Sequence, residues 1–288
     1  MTGVNPLLQI LAFGLENTIF TGGGKCFSWN GTMWLAGGEG ILNTLAYSYD
    51  GKTWYELGNS TFDVKTSTIC WNGSFYMAGG STSNTIAKSS DGIIWTGLSN
   101  TVFNVQCNGI AWNGSLFVAV GASSGLHSVA TSSDGITWTG LNKTIFTSIG
   151  YGIAWNGSLF VAVGYGTNTI ATSTNGLTWS VLGSTVFTNR GYSVCWSNNK
   201  WIATGEGTNT LAYSYNGSLW YVVPSSTSII TTGYAVSGNS RVGPVVVDSQ
   251  LALNKSSYSA TNQLDFISDS YINNGVTNMS LSIKSYDL

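Results

Sequence analysis

Five copies of one heptad, Ser-x-Asp/Asn-Gly-x-x-Trp, stand at Ser48–Trp54, Ser89–Trp95, Ser132–Trp138, Ser173–Trp179 and Ser214–Trp220. A carboxylate beside a glycine could hold a metal ion or deliver a proton, and both tasks need the acid. The chain has Asp50, Asp91 and Asp134 in three copies but Asn175 and Asn216 in the other two. That exchange would remove an acid or weaken a metal ligand, so the heptad reads as architecture. Each Asp or Asn can accept hydrogen bonds from backbone amides two residues on. The glycine then takes a positive φ, and Trp54, Trp95, Trp138, Trp179 and Trp220 fold back as apolar covers.

Other reactive residues are sparse. His127 is the single histidine, which excludes a His-rich metal site or an HExxH helix. Cys26, Cys70, Cys107 and Cys195 fall in different repeats without CxxC or Cys/His spacing and read as small buried hydrophobes. Glu39, Asp63, Glu206 and Asp248 could pair in space for glycoside chemistry, but the reading is solvated surface acids. No catalytic residue, metal or cofactor is expected, and the chain reads as a non-enzyme.

Composition narrows the partners. Hydrophobic residues are 43% and aromatics 13%, enough for a sizeable core, whereas only 8% are charged, against roughly 25% in ordinary globular chains. Solubility therefore rests on Ser, Thr, Asn and Gly. With net charge -2 and no Lys/Arg run, binding to nucleic-acid phosphates is not expected. The apolar stretch "PLLQILAFGL" lacks a cationic flank and a small-residue cleavage site, so no secretory signal is read. It is too short to span a bilayer, and no membrane insertion is expected.

Two markers report one period. The heptad tryptophans recur at 41, 43, 41 and 41 residues, and Trp29, Trp71, Trp112, Trp155 and Trp196 at 42, 41, 43 and 41. Within one unit, "YGIAW" reads as strand a, Asn156-Gly157 as a tight turn whose residues both tolerate positive φ, "LFVAVG" as b, "TIATS" as c and "LTWSVL" as d. Four antiparallel strands repeated every ~40 to 45 residues predict an all-β chain, a β-propeller of four-stranded blades. One blade alone exposes two apolar faces, and a ring of blades buries both. The chain reads as a single domain over 1–288, with a closing outer strand at 1–17, five clear repeats at 18–223, and a degenerate last blade with further strands at 224–288. Six blades are expected, seven being the alternative.

The heptad resembles the Asp-box, or BNR repeat, of sialidase-like and related propellers, whose motif usually carries one more residue between Asp and Gly. The likeness covers about Ser28 to Val223. It implies a turn joining strands c and d at the periphery, away from the binding face. Sialidase-type catalysis needs three arginines, and this chain has only Arg190 and Arg241, so that activity does not carry over. The phrases "WNGSLFVAVG" and "TNTIATSTNG" also look similar to repeat proteins of large double-stranded DNA viruses.

A ligand is expected on the face formed by the b–c and d–a loops, where the repeats differ. After a shared glycine stand Glu39, Ser81, Ala122, Tyr165 and Glu206, followed by Asn43, Asn84, His127, Asn168 and Asn209. A ring of amides broken by one imidazole, near Tyr165 and two glutamates, could hydrogen-bond sugar hydroxyls or a peptide. The alternative is that the asparagines start strand c and satisfy local backbone groups. The d–a segments add Arg190, Tyr151, Tyr192 and Tyr234. The resulting reading is a binding or adhesion propeller, virion-associated or extracellular, with a glycan or protein partner. A purely structural assembly subunit is the alternative, and a divergent glycoside hydrolase a distant one.

Overall fold

The structure is a computed structural model that describes residues 19–237 and 245–247. Strands follow one another in sets of four: β1 (Gly24–Trp29), β2 (Trp34–Gly38), β3 (Leu45–Ser48) and β4 (Tyr55–Glu56) form the first. The second has β5 (Thr66–Trp71), β6 (Tyr76–Gly80), β7 (Ile86–Ser89) and β8 (Thr96–Gly97), and the third β9 (Gln106–Trp112), β10 (Phe117–Ala122), β11 (Val129–Ser132) and β12 (Thr139–Gly140). The fourth comprises β13 (Ile149–Trp155), β14 (Phe160–Tyr165), β15 (Ile170–Ser173) and β16 (Ser180–Val181). The fifth comprises β17 (Arg190–Ser197), β18 (Lys200–Glu206), β19 (Leu211–Ser214) and β20 (Tyr221–Val222). After a short helix, α1 (Ser226–Ile229), β21 (Ala235–Ser237) pairs with β22 (Val245–Val247). No helix among the described residues is long and apolar enough to cross a membrane.

Within each set every strand is antiparallel to the next. The first strands of successive sets pack against one another in chain order, from β1 through β5, β9, β13 and β17 to β21. The fold is a β-propeller, with five complete blades among the described residues. The closing strand expected at 1–17, the strands expected after residue 247, and with them the choice between six and seven blades lie outside the described residues.

The core sits between blades. Met33, Leu35 and Leu45 of the first blade pack with Phe62, Ile69, Tyr76, Ala78 and Ala87 of the second. Val118, Val120 and Val129 of the third meet Phe146, Phe160, Ala162 and Ala171 of the fourth. The second strands have almost wholly buried patterns because both of their faces are covered. Each blade also buries one ring from the link that precedes it: Phe20, Phe62, Phe103, Phe146 and Phe187 are all fully buried. These rings lie on the glycine near the end of the second strand. A Cβ on Gly164 would stand 2.7 Å from the Phe146 ring and 2.5 Å from the Ile149 carbonyl.

Two local expectations are corrected. The fourth strand has two residues, Ser180–Val181 in the fourth blade, because Leu177 to Trp179 belong to the heptad turn. The a–b connection is a four-residue loop, Asn156 to Leu159 between the paired Trp155 and Phe160. In it Gly157 alone takes a positive φ, 101°, while Asn156 Oδ1 accepts from the amides of Ser158 and Leu159. Only the fifth blade makes a two-residue turn with both φ positive, at Asn198 (49°) and Asn199 (59°).

The heptad forms the connection between third and fourth strands. Asp134 Oδ1 accepts from Ile136 N at 2.7 Å and Thr137 N at 2.8 Å, and Asn175 Oδ1 does the same for Leu177 and Thr178. Ser132 Oγ donates to Asp134 Oδ1 and accepts the Gly135 amide at 2.9 Å; Ser48, Ser89, Ser173 and Ser214 repeat this. In the second, third and fourth blades the heptad tryptophan closes a three-ring row; in the third, Trp112 lies 4.2 Å from Phe117, which lies 6.4 Å from Trp138. The turn also fastens one blade to the one before it, since a Cβ on Gly135 would touch Phe75 and Met77, and Lys88 Nζ donates to the Asp134 carbonyl at 2.8 Å.

Candidate binding site on the first strands

One irregularity recurs in the first strand of every complete blade. The register with the second strand slips between Gly24 and Cys26, Thr66 and Thr68, Cys107 and Gly109, Gly150 and Gly152, and Gly191 and Ser193. Each slip is a β-bulge, and the residues it leaves unpaired are Lys25, Ser67, Asn108, Tyr151 and Tyr192. A bulge re-aims a side chain and is common beside functional sites. Tyr234 holds the corresponding place just before β21.

Bulge residues of adjacent blades meet. Asn108 Nδ2 donates to the Gly150 carbonyl at 2.9 Å. The Tyr151 and Tyr192 rings are 5.1 Å apart and those of Tyr192 and Tyr234 5.2 Å, all tilted, forming a ladder across three first strands. Tyr151 and Tyr192 are half-buried, and Tyr234 is 52% exposed. Burial pushes the phenols of Tyr151 and Tyr192 above their ordinary range.

A second recurring contact brings charge to the same place. At four junctions the residue at or just past the end of the second strand pairs with the opening of the next blade's first strand: Glu39 with Lys65, Ser81 with Gln106, Ala122 with Ile149, Tyr165 with Arg190. Arg190 therefore lies with its guanidinium carbon 4.9 Å from the Tyr165 ring centroid. Its Nη1 donates to Tyr192 Oη at 3.1 Å, and that hydroxyl donates to Glu206 Oε2 at 3.0 Å, with Nη1 to Oε2 at 3.8 Å. The bond to Tyr192 raises the Arg190 pKa further, while its Nε is buried without a hydrogen-bond partner. Lys25 Nζ pairs with Glu39 Oε2 at 3.2 Å. Burial pulls the Lys65 pKa down, the Glu39 charge pulls it up and Lys25 pulls it down again.

The expected site residues thus divide. Glu39, Tyr165, Arg190 and Glu206 stand at the blade junctions and join the bulge residues. The anticipated ring of amides and imidazole is otherwise engaged, with polar atoms turned to backbone groups. Asn43 Oδ1 accepts from Gly58 N, and Asn84 Oδ1 from Ser99 N. His127 Nδ1 accepts from Asn142 N at 3.0 Å. Asn84, Asn168 and Asn209 donate to the carbonyls of Thr61, Ile145 and Val186. These five residues brace the links between blades. The sequence reading did not single out Lys25, Lys65, Ser67 or Asn108, because a bulge becomes visible only once strand register is known.

Of the four thiols expected to be buried, Cys107 is fully so and the other three are half-buried. Cys26, Cys70, Cys107 and Cys195 are free cysteines on first strands, and burial pushes Cys70 and Cys195 up to about 12. A thiol so raised stays protonated and a poor nucleophile.

No protein-family model and no curated protein matches the chain. Among solved structures it is similar to YCF48 bound to D1 peptide, with 18% identity over 78% of this chain and 75% of that one and a TM-score of 0.57. It is similar to the GH74 xyloglucanase from Xanthomonas campestris, with 14% identity over 78% of this chain but only 35% of that one and a TM-score of 0.56. The computationally designed Ika8 protein matches at 11% identity over 79% of this chain and 69% of that one, with a TM-score of 0.55. At such identities the likeness is one of fold.

Proposed function

We propose that the protein is a non-enzymatic binding propeller that receives a protein segment on its first strands. The observation that carries this reading is the Tyr151–Tyr192–Tyr234 ladder, with Tyr151 and Tyr192 held on bulges and its middle ring bonded to Arg190 and Glu206 beside Tyr165. Tyrosine and arginine dominate binding energy at protein interfaces because each couples a large apolar body to a polar tip. Both signs of charge stand there, as Lys25 with Glu39 and Arg190 with Glu206, which suits a polypeptide bearing both. YCF48, a neighbour in fold, is itself bound to a peptide. The uncharged Ser/Thr/Asn-rich composition supports a scaffold working on a particle or outside a cell.

The test is selection from a random-peptide library, with a glycan array alongside. Tyr192→Ser installs the residue type of Ser67, which a neighbouring blade carries at the same bulge, so the fold is retained. Binding should weaken by about tenfold or more. Unchanged peptide binding in this variant, or ligands confined to the glycan array, overturns the reading. Cleavage of chromogenic glycosides above buffer rates overturns its non-enzymatic part.

A specific observation favours a second reading, an assembly subunit. Heptad tips present Ile94, Ile136, Leu177 and Leu219 to solvent, at 75%, 58%, 55% and 57% exposure. Concentration-dependent light scattering that disappears when these four become Asn would shift weight to it.

A further inference from the structure

We propose that the first and fifth blades each carry a stacking site for a neutral carbohydrate chain, separate from the site on the first strands. Tyr55 lies on Tyr47 with ring centroids 5.0 Å apart and 23° between planes, and Tyr49 stands edge-on to Tyr47 at 5.7 Å and 80°. In the fifth blade Tyr221 lies on Tyr213 at 5.4 Å and 23°, and Tyr215 stands edge-on at 5.8 Å and 88°. The same three-ring corner has been built twice, on the third and fourth strands of two blades.

Folding does not require these rings. At the paired positions of Tyr47 and Tyr55, the second, third and fourth blades hold Lys88 with Thr96, Thr131 with Thr139, and Thr172 with Ser180, in the same register. In place of Tyr49 they have Ser90, Ser133 and Thr174. The outer rings are open: Tyr49 and Tyr55 are 59% and 49% exposed, Tyr215 and Tyr221 57% and 43%. For the first corner this exposure persists with the adjoining second blade fully in place. Exposed clustered aromatics are a solubility liability, and their coordinated appearance marks an interaction site.

What the corners share identifies the ligand class. Asp50 and Glu56 flank the first in sequence, whereas Asn216 and Val222 take those places in the second. Lys200, 5.6 and 5.8 Å from the Tyr215 and Tyr213 ring centroids, belongs to the second alone. Charge is therefore not common to both, and a ligand fitting both is read by ring faces and phenolic hydroxyls. A pyranose has that complement. Its C–H-rich face rests on the negative face of a ring, and its equatorial hydroxyls meet groups that donate and accept. Two sites on one rigid ring engage one chain or one dense surface together.

The experiment prints neutral hexasaccharides at high and low density, namely cellohexaose, mannohexaose and chitohexaose. Wild-type protein should bind at least one of them. The variant Tyr49→Ser, Tyr55→Thr, Tyr215→Ser, Tyr221→Thr, which copies the second blade, should lose that binding. Replacing one corner alone should cost about tenfold or more at high density and little at low density. Tyr→Phe at the four positions keeps the stacking surface but removes the hydroxyls, so binding should weaken without being lost, and Tyr192→Ser should leave it unchanged. The proposal fails if wild type binds none of the three glycans, if the four-residue variant binds like wild type or cannot fold, or if Tyr→Phe abolishes binding. Dependence on Tyr192 instead would move the glycan to the first strands.

Discussion

Ser132 shows how one hydroxyl decides a turn. It accepts the buried amide of Gly135 and orients Asp134 at once, so Ser132→Ala leaves that N–H without a partner. Urea unfolding should show a loss of about 1–3 kcal/mol. Asp134→Asn should leave the midpoint in place, because Asn175 and Asn216 already make the same bonds. The acids still set the response to pH. Bonds from Thr53 and Lys52 amides hold the Asp50 carboxyl down at about 2, from an ordinary 3.8, and Asp91 and Asp134 are lowered by the same kind of bond. A folded pKa below the unfolded value means stabilisation that is complete above pH 3.8 and fades as pH falls toward 2. Tryptophan fluorescence through an acid titration should show a shallower loss in that window for the triple Asp→Asn variant. The acceptor role of Asp and Asn was legible in the sequence because the exchange itself revealed it. The serine was not, since in a chain this rich in serine its position in the heptad could equally have been solvated filler.

At the level of strands, the second of each blade is the most constrained, buried on both faces and lying on a phenylalanine from the preceding link. Gly164→Ala drives a methyl into the Phe146 ring and the Ile149 carbonyl and should cost about 1–3 kcal/mol, read from thermal melting. Hydrogen exchange should run fastest in the two-residue fourth strands, such as Tyr55–Glu56 and Ser180–Val181, whose side chains are exposed. The existence and order of strands were legible from the two tryptophan series. The end of the fourth strand was not, because "LTWSVL" alternates like a strand although its first half is bound into the heptad turn. The candidate site was legible in part: Tyr165, Arg190, Glu206 and Glu39 came from comparing loops between repeats. The amide ring dissolved into local bracing for the reason weighed against it, that Asn before a strand serves nearby backbone groups. Bulges escape a one-dimensional reading altogether, since they are offsets between two strands.

Taken whole, the molecule gains its apolar interior between blades, so loss of one large ring there weakens two blades together. Phe160, fully buried, sits in the core shared by the third and fourth blades. Phe160→Ala should cost about 3–5 kcal/mol and lower the single transition seen by both circular dichroism and tryptophan fluorescence; separate transitions by the two probes would contradict this coupling. The five bulges carry a consequence for how such a ring can change. A residue outside the hydrogen-bonded ladder can be exchanged without breaking a backbone pair. At Lys25, Ser67, Asn108, Tyr151 and Tyr192 the frame therefore stays constant while side-chain contacts, such as those of Lys25 with Glu39 and of Tyr192 with Arg190 and Glu206, change with the residue. New specificities can then be dialled in one spoke at a time, by selection in nature or by a library randomised at those few codons.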